Sequence, residues 1–373
     1  MRLLTRYILT EMGGPFAFSV GIFVALFLGT NVLSDLTRWS ATYQISPLLV
    51  AQLVIYRLPW ILGYVFPMSM LLTTLLCFGR LSSDSEIVAM LAGGASFKKL
   101  VRPALAAGIG VSFLTLGLNE TLGPAGQRAE TGLLNALRGG TPGGRRNVAL
   151  LEHLPGDIRL GITAAEFHLG RGELKNLDLL VSHRQRPCIL IHADRAIWQK
   201  EEWRLVHGQI WFDLNRDTGS SPPGRAQKLE VTLGRRRIQW RKTPAEIARE
   251  IAAPWELTAL EMRQRIADKK ARGADWRREI APDLVELHNK YALPWTGFLF
   301  ALLGAPLGIR PRRTSKGLAY GICLAIIFAY FALWHTLVLF GKSGGIPPAL
   351  APWAPNLVLA AVGAFLLRQA ELR

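Results

Sequence analysis

Cysteine is scarce in this sequence, with three residues, Cys77, Cys188 and Cys323, in 373 positions. The three are far apart, and two of them lie inside strongly apolar runs. Such spacing excludes a disulfide framework and a paired CxxC metal site. We therefore interpret all three cysteines as packing residues.

Several catalytic and ligand-binding motifs are also absent. The sequence has no GxxxxGK[ST] motif, so it lacks the loop that cradles the phosphates of ATP, and any ATP must be hydrolysed by another protein. HExxH, GxSxG and EF-hand spacings are missing, and no two histidines stand at HxH or HxxxH spacing. We expect no catalytic residue, no cofactor and no metal site. The N-terminal apolar stretch lacks a small-residue cleavage site, which predicts a retained first span.

Negative charge is in short supply, since 27 Asp and Glu face 44 Lys and Arg, a formal net charge of +17. Half of the residues, 50%, are hydrophobic. A basic excess in so apolar a chain fits nucleic acid, anionic lipid or the charge of cytoplasmic loops. The positions of the charges decide among these three.

Six apolar runs meet or approach the length of about 20 residues that a membrane-spanning helix needs. They are residues 15–33, 58–78, 103–118, 291–309, 318–340 and 349–367. The two groups of three are separated by a long insert of more polar composition. The solvent of this chain is therefore partly lipid.

The short loops predict the orientation, because Lys and Arg resist transfer across the membrane. One side collects most of them: Arg2, Arg6, Arg80, Lys98, Lys99, Arg102, Arg310, Arg312, Arg313, Lys316, Arg368 and Arg373. The opposite short loops carry only Arg38, Arg57 and Lys342. We expect an inner-membrane protein with both termini cytoplasmic and the insert in the periplasm, and we therefore expect no nucleic acid among its partners.

Within the insert, residues 174–182, 188–198, 203–214 and 228–240 alternate apolar and polar side chains between turn residues. This alternation indicates antiparallel strands with one buried face. Residues 255–280 instead predict one or two amphipathic helices, with Gly273 as a break.

The predicted fold class is an α-helical membrane protein of six transmembrane helices, three before and three after a β-jellyroll-like periplasmic domain. The predicted domains are the first three spans in residues 1–122, the β domain in 123–254, a helical connector in 255–290 and the last three spans in 291–373.

A short half-polar stretch, GRLSSDSEIVAMLAGGASFKKLVRP at 79–103, interrupts the apolar runs between the second and third spans. Ser83 followed by Glu86 matches a capping box, and Gly93-Gly94 is a typical helix stop, so we expect a short helix at about 83–93. Two interpretations are open. The helix is a tight connection, or it is a small docking element with an apolar face (Ile87, Met90, Leu91) and an acidic rim (Asp84, Glu86).

Three segments carry a resemblance to a known family. They are SDSEIVAMLAGGAS between the second and third spans, ELHNKYALPWTGFLFALLGAPLGIRPRR entering the fourth span, and the ending GGIPPALAPWAPNLVLAAVGAFLLR. With the inserted strands, they resemble the lipopolysaccharide-export permease family, LptF and LptG, end to end. The KSGGIPPALAPWAPN region is slightly more similar to LptF.

The resemblance implies a permease subunit without its own nucleotide-binding site. Its implied partners are a dimer of the cytoplasmic ATPase LptB, a second six-span permease, the single-span protein LptC and the periplasmic bridge protein LptA, and its implied cargo is lipopolysaccharide. The family's coupling-helix carboxylate maps onto Glu86, whereas Asp84 has no such match. Where the family often places basic residues for lipid phosphates, this sequence offers only Arg38 and Arg57 as candidates.

A carrier of acyl chains needs apolar surfaces, because exposing a CH₂ to water costs about 0.8 kcal/mol. Candidates in the membrane are aromatic residues of the first and fifth spans, namely Phe23, Phe27, Phe328 and Phe331. Candidates in the insert are the aliphatic residues Leu179, Ile189, Ile191, Leu205 and Ile210. Ordinary packing is the competing interpretation for each.

Two other functions remain open on the sequence. The chain could be a membrane-anchored periplasmic scaffold or glycolipid-modifying protein that uses the β domain alone. It could also export another lipid or a lipoprotein.

Overall fold

The computed structural model describes residues 2–32, 46–137, 144–154, 158–183, 186–199, 202–212, 231–233, 237–238, 242–309 and 316–371. These residues form two compact units. The helical unit is Met1–Gln127 with Asp275–Arg373, and the β unit is Arg128–Ala274.

Ten α-helices are described along the chain. They are α1 Arg2–Phe27, α2 Pro47–Ser83, α3 Glu86–Ala92, α4 Phe97–Glu120, α5 Leu122–Leu137, α6 Pro244–Ile251, α7 Ala259–Ala271, α8 Ala281–Gly308, α9 Lys316–Lys342 and α10 Leu350–Glu371. A π-helical turn, Leu28–Val32, follows α1, and another, Trp276–Ile280, leads into α8. A 3₁₀ turn, Pro254–Glu256, lies between α6 and α7.

Six helical segments in the described residues are long and apolar enough to cross a membrane. They are Leu3–Thr30, Pro47–Ser83, Phe97–Leu137, Trp276–Gly308, Ala319–Lys342 and Leu350–Glu371. All six predicted spans lie within or largely overlap these segments. With the β unit inserted between the third and fourth segments, they confirm the predicted fold class.

α2 and α8 form the centre of the helical unit. In the apolar stretch of α2, 78% of the residues are buried, whereas in that of α1 only 17% are buried. Small residues allow the helices to approach closely, as is common in membrane proteins. A Cβ at Gly308 in α8, for example, would stand 2.8 Å from the Cβ of Phe78 in α2.

The β unit is built on one antiparallel sheet in which each strand pairs with its neighbour in sequence, in the order β1 to β6, while β7 also pairs with β5. The strands are β1 Gly144–Leu154, β2 Ile158–His168, β3 Glu173–His183, β4 Arg186–Gln199, β5 Glu202–Phe212, β6 Val231–Leu233 and β7 Arg237–Ile238. One face carries a buried apolar cluster that includes Phe167, Leu177 and Trp203, and Ile247 of α6 packs into it.

The ladder is interrupted at the same level in all five long strands. The residues left out of the pairing are Asn147, Ala165, Asn176, Asp194 and His207. At this level two successive residues of each strand separate the inward-facing positions on either side, and in β2 to β5 both of these flanking positions are buried. We call these ten residues the double-residue band: 146–147, 165–166, 175–176, 194–195 and 206–207. Because each strand contributes one extra residue, the apolar face continues unchanged across the interruption.

Two of the helices that cover the β unit begin with reciprocal capping boxes. Thr243 and Glu246 cap α6, and Thr258 and Glu261 cap α7. In each, the threonine hydroxyl accepts from the N3 amide while the glutamate accepts from the threonine amide. Gly273, with φ +71°, lies just past the end of α7, where the sequence predicts the break.

Candidate functional site

One end of the helical unit brings together segments that are distant in sequence. Glu11 of α1 forms an ion pair with Arg80 near the end of α2, with 2.7 Å between Oε2 of Glu11 and Nη2 of Arg80. Lys98 at the start of α4 pairs with Glu371 at the end of α10 at 3.0 Å. The short helix α3 lies at this same end, which we call the α3 end.

Helix α3 is held by one buried side chain. Ile87 is 2% exposed and belongs to an apolar cluster with Ile8, Phe78 and Phe97. Met90 is partly buried against the same cluster. The large apolar residues of α3 that are exposed are Val88, 65% exposed, and Leu91, 40% exposed, and the small Ala89 and Ala92 are exposed beside them. The large side chains of the outward apolar face are therefore Val88 and Leu91, and Ile87 does not belong to this face.

The predicted capping box at Ser83 and Glu86 is wrong. Ser83 is the last residue of α2, and its hydroxyl donates to the carbonyl of Arg80 at 2.8 Å. The N-cap of α3 is Ser85, which has a left-handed backbone (φ 59°) and no side-chain capping bond. Because α2 stays helical through Ser83, that residue cannot take the extended backbone of an N-cap.

In place of the predicted capping-box contact with Ser83, the side chain of Glu86 accepts a hydrogen bond from α1. The hydroxyl of Tyr7 in α1 donates to Oε2 of Glu86 at 2.6 Å. Asp84, just before α3, lies 3.9 Å from Arg80, and its side chain is 53% exposed. The two acidic residues of the predicted rim are thus connected to α1, Glu86 directly and Asp84 through Arg80 and Glu11.

The end of α3 follows the sequence expectation. Gly94 has φ +83°, a conformation that glycine adopts without steric cost. The amide of Ala95 donates back to the carbonyl of Met90 at 3.1 Å. Ser96 then caps α4.

Aromatic residues from three helices meet around Tyr64 of α2. The ring centroid of Tyr64 is 6.3 Å from that of Phe27 in α1 and 6.3 Å from that of Phe331 in α9. Phe23 packs into the adjacent buried cluster and is 3% exposed. We call Phe23, Phe27, Tyr64 and Phe331 the aromatic wall. Phe328 is 77% exposed and stands apart from it.

Of the two basic headgroup candidates, Arg38 lies outside the described residues. Arg57 is half-buried in α2 and has interaction partners. It is 23 residues from Arg80, so the two are about 35 Å apart along the helix at 1.5 Å per residue. Arg57 therefore lies toward the end of α2 opposite to the α3 end.

The aliphatic candidates of the insert share one face of the sheet. Leu179, Ile191 and Ile210 are direct cross-strand partners. Ile189 lies two residues from Ile191 on the same face, and Leu205 lies beyond the double-residue band. Leu179 and Leu205 are buried, whereas Ile189, Ile191 and Ile210 are half-buried. A continuous apolar strip therefore runs along the sheet and is partly covered by α6.

The described part of the chain contains no group of three His, Cys, Asp or Glu residues that could hold a metal ion. Cys77 and Cys323 are buried free thiols in the helical unit.

Sequence reasoning missed Tyr7, Glu11, Tyr64 and Val88. Glu11 did offer a signal: it lies before the predicted span at 15–33 but within the apolar segment Leu3–Thr30, where an acidic residue is costly unless it is paired. Tyr7 offered none, since its bond to Glu86 joins residues 79 positions apart.

A comparison with known families places this geometry in context. The chain matches the family model of the lipopolysaccharide export system permease LptF/LptG over residues 6–369. No curated protein matches the chain. Since the match covers nearly the whole chain, and since six apolar helices flank an inserted β unit, this multi-pass inner-membrane protein belongs to the LptF/LptG family of lipopolysaccharide export permeases.

Proposed function

We propose that this chain is a permease subunit that moves lipopolysaccharide out of the inner membrane, using work delivered to α3 by a separate ATPase. The observation that carries the proposal is the construction of α3. It is fixed to the helical unit by Ile87 while Val88 and Leu91 are exposed. An exposed apolar surface of this kind is better explained by a protein partner than by solvent.

The partner at α3 is an ATPase dimer of the LptB type. Glu86 supplies a carboxylate for a basic residue of the ATPase. Its bond from Tyr7 engages one oxygen, and a carboxylate has about four acceptor positions, so a guanidinium can bind at the same time. Asp84, with its exposed side chain, adds negative charge beside it.

The distribution of Lys and Arg supports a cytoplasmic α3 end. Arg80, Lys98 and Lys99 surround α3, as the positive-inside rule requires. In this orientation both termini are cytoplasmic and the β unit is periplasmic, where it receives lipid from the membrane.

The lipid path uses two apolar surfaces. In the membrane, the half-buried members of the aromatic wall, Phe27, Tyr64 and Phe331, and the exposed Phe328 face a cavity that is closed by a second six-span permease, while Phe23 packs behind them. In the periplasm, the strip formed by Leu179, Ile191 and Ile210 accommodates acyl chains. A single-span LptC-like protein and an LptA-like bridge then accept the lipid, and Arg38 and Arg57 are candidates for contact with its phosphates.

The test is a charge reversal at Glu86 in the complete complex. Glu86→Lys should leave the permease inserted and folded but abolish lipopolysaccharide release coupled to ATP hydrolysis in proteoliposomes. Glu371→Lys is the matched control, because it reverses a carboxylate at the same end that pairs with Lys98 and not with α3. Coupled release that survives Glu86→Lys, or purification of the active permease without an ATPase, would overturn the proposal.

A further inference from the structure

Helix α1 contacts the rest of the described helical unit along a single stripe. Its fully buried residues, Ile8, Met12, Ser19 and Phe23, recur at intervals of a helical turn or two. On other faces, a Cβ added at Gly13, Gly14 or Gly21 would meet no heavy atom within 4 Å. A helix packed along one stripe is less constrained than α2, which is buried on most sides.

Two polar contacts attach this stripe to the α3 end. Tyr7 donates to Glu86 of α3, and one turn later Glu11 pairs with Arg80, which in turn approaches Asp84. Hydrogen bonds to ionised groups are directional and stronger than neutral ones. The apolar contacts of Ile8 and Met12, by contrast, allow sliding because they have no preferred direction. The two polar contacts therefore define the position of α1 relative to α3.

The other end of the same stripe reaches the aromatic wall. Phe23 and Phe27 are the aromatic residues of α1 that pack there, beside Val20 and Val24. Between the two ends lies Pro15, which has no amide hydrogen to donate to the carbonyl of Glu11. A displacement at Tyr7 and Glu11 can therefore bend α1 as well as translate it, and either change moves the wall.

We propose that Tyr7 and Glu11 are positioning residues that make α1 follow α3, so that the stroke of the ATPase reaches the lipid cavity through α1. This inference rests on the proposed function, because it takes α3 as the site on which the ATPase acts. In this mechanism the buried middle of α2 and α8 remains a fixed frame, whereas the last turn of α2, which carries Arg80, moves together with α3 and α1.

The first test is Tyr7→Phe, which removes only the hydroxyl. The complex with ATPase, second permease and LptC-like protein is reconstituted with lipopolysaccharide. The measured quantity is the coupling ratio, the amount of lipid released per ATP hydrolysed. We expect the ATPase to bind and to hydrolyse ATP as in the wild type, while the ratio falls about fivefold or more, the range of typical coupling energies. Tyr56→Phe is the matched control, because Tyr56 also has a hydrogen-bonded hydroxyl, with Gln52 in α2.

The second test separates a specific link from general damage. Glu11→Arg and Arg80→Glu should each lower the ratio, and the double variant should restore it, because the ion pair is re-formed with reversed charges. In a Glu86→Gln background, Tyr7→Phe should have little further effect, since both changes weaken the same hydrogen bond. The pair Arg80–Glu11 is half-exposed, so its loss leaves the fold intact.

The outcomes separate this inference from the proposed function. A wild-type ratio in Tyr7→Phe and in both charge variants overturns the role of α1, and the proposed function stands if Glu86→Lys still uncouples. A parallel fall in hydrolysis and release also overturns it, because Tyr7 would then act on ATPase engagement and not on transmission. If Glu86→Lys also leaves ATP-coupled lipid release unchanged, the proposed coupling role of α3 itself is wrong.

Discussion

Gly108 of α4 faces Ala301 of α8 so closely that a Cβ at position 108 would stand 2.9 Å from the Cβ of Ala301. The backbone of Phe298 and the carbonyl of Gly297 would be 3.0 and 3.2 Å away. Because these neighbours are mostly backbone, they cannot rotate aside. Small residues therefore fix the distance between α4 and α8, a common feature of membrane helix packing.

Replacing Gly108 by Leu should separate α4 from α8 and destabilise the helical unit by about 1–3 kcal/mol, the cost of overpacking a close interface. Gly110→Leu is the control, because a Cβ at Gly110 in the same helix meets nothing within 4 Å. Thermal unfolding of the purified chain in detergent measures both. An equal melting temperature for the two variants would contradict the close approach.

The ion pair of Lys242 and Glu250 predicts a pH dependence in the β unit. Burial alone raises the pKa of Glu250, but the Lys242 ammonium at 2.6 Å and Arg272 at 3.1 Å lower it by more than burial raises it, so the net pKa lies below its ordinary value. Stability from this pair is therefore complete above the ordinary glutamate pKa of about 4.3 and is lost as the pH falls below it.

Glu250→Gln should accordingly destabilise the β unit at neutral pH by about 3 kcal/mol, because Lys242 stays buried without the carboxylate. The difference from the wild type should shrink as the pH falls through the lowered pKa of Glu250, because the wild-type carboxyl then loses its charge as well. Asp268→Asn, which removes the half-exposed partner of Arg249, should cost less than about 1 kcal/mol. Thermal unfolding at pH 7 and below pH 4 checks both.

The two faces of α3 predict opposite phenotypes. Val88→Asp or Leu91→Asp should leave the melting temperature of the isolated permease unchanged and abolish co-purification of the ATPase, because both side chains are exposed. Ile87→Ala should instead lower the stability by about 2 kcal/mol or more, because it removes a fully buried side chain. Loss of ATPase binding in Ile87→Ala without loss of stability would show that Ile87 faces the partner.

Much of the fold could be predicted from the sequence because the strongest signals are local. Each span is a long apolar run, and the alternation at 174–182 locates β3, Glu173–His183. The helix ends were less predictable. α2 begins at Pro47, well before the predicted start at residue 58, and α3 begins at Glu86, after the predicted start at about residue 83. Polar residues can continue a helix beyond its apolar stretch, and hydropathy does not register them.

Helix α6 was missed although its start had a readable signal. Thr243 and Glu246 have the capping-box spacing, and Pro244 stands at the first helical position. The helix is only 8 residues long, so no periodic pattern supported the signal. The exposed face of α3 was assigned incorrectly for a similar reason, because a single short helix does not reveal which side packs on its neighbours.

The alternation of apolar and polar residues also could not have predicted the double-residue band. A strict period of two would place Leu174 and Leu177 of β3 on opposite faces, yet both are 1% exposed in the same cluster. The extra residue between them is accommodated by Asn176, which takes a left-handed backbone with φ 48°. Asn147 and His207 do the same in β1 and β5.

The backbone of Asn176 supports the last prediction. Glycine adopts a left-handed conformation freely, asparagine tolerates it, and a β-branched residue does not. Asn176→Gly should therefore leave the β unit as stable as the wild type, whereas Asn176→Val should cost about 1–3 kcal/mol. Thr163→Val, at an exposed position of β2 that pairs regularly with Asp178, controls for the new side chain. If Asn176→Val unfolds at the wild-type temperature, the phase of β3 is not set by Asn176, and Leu174 and Leu177 reach one face by another route.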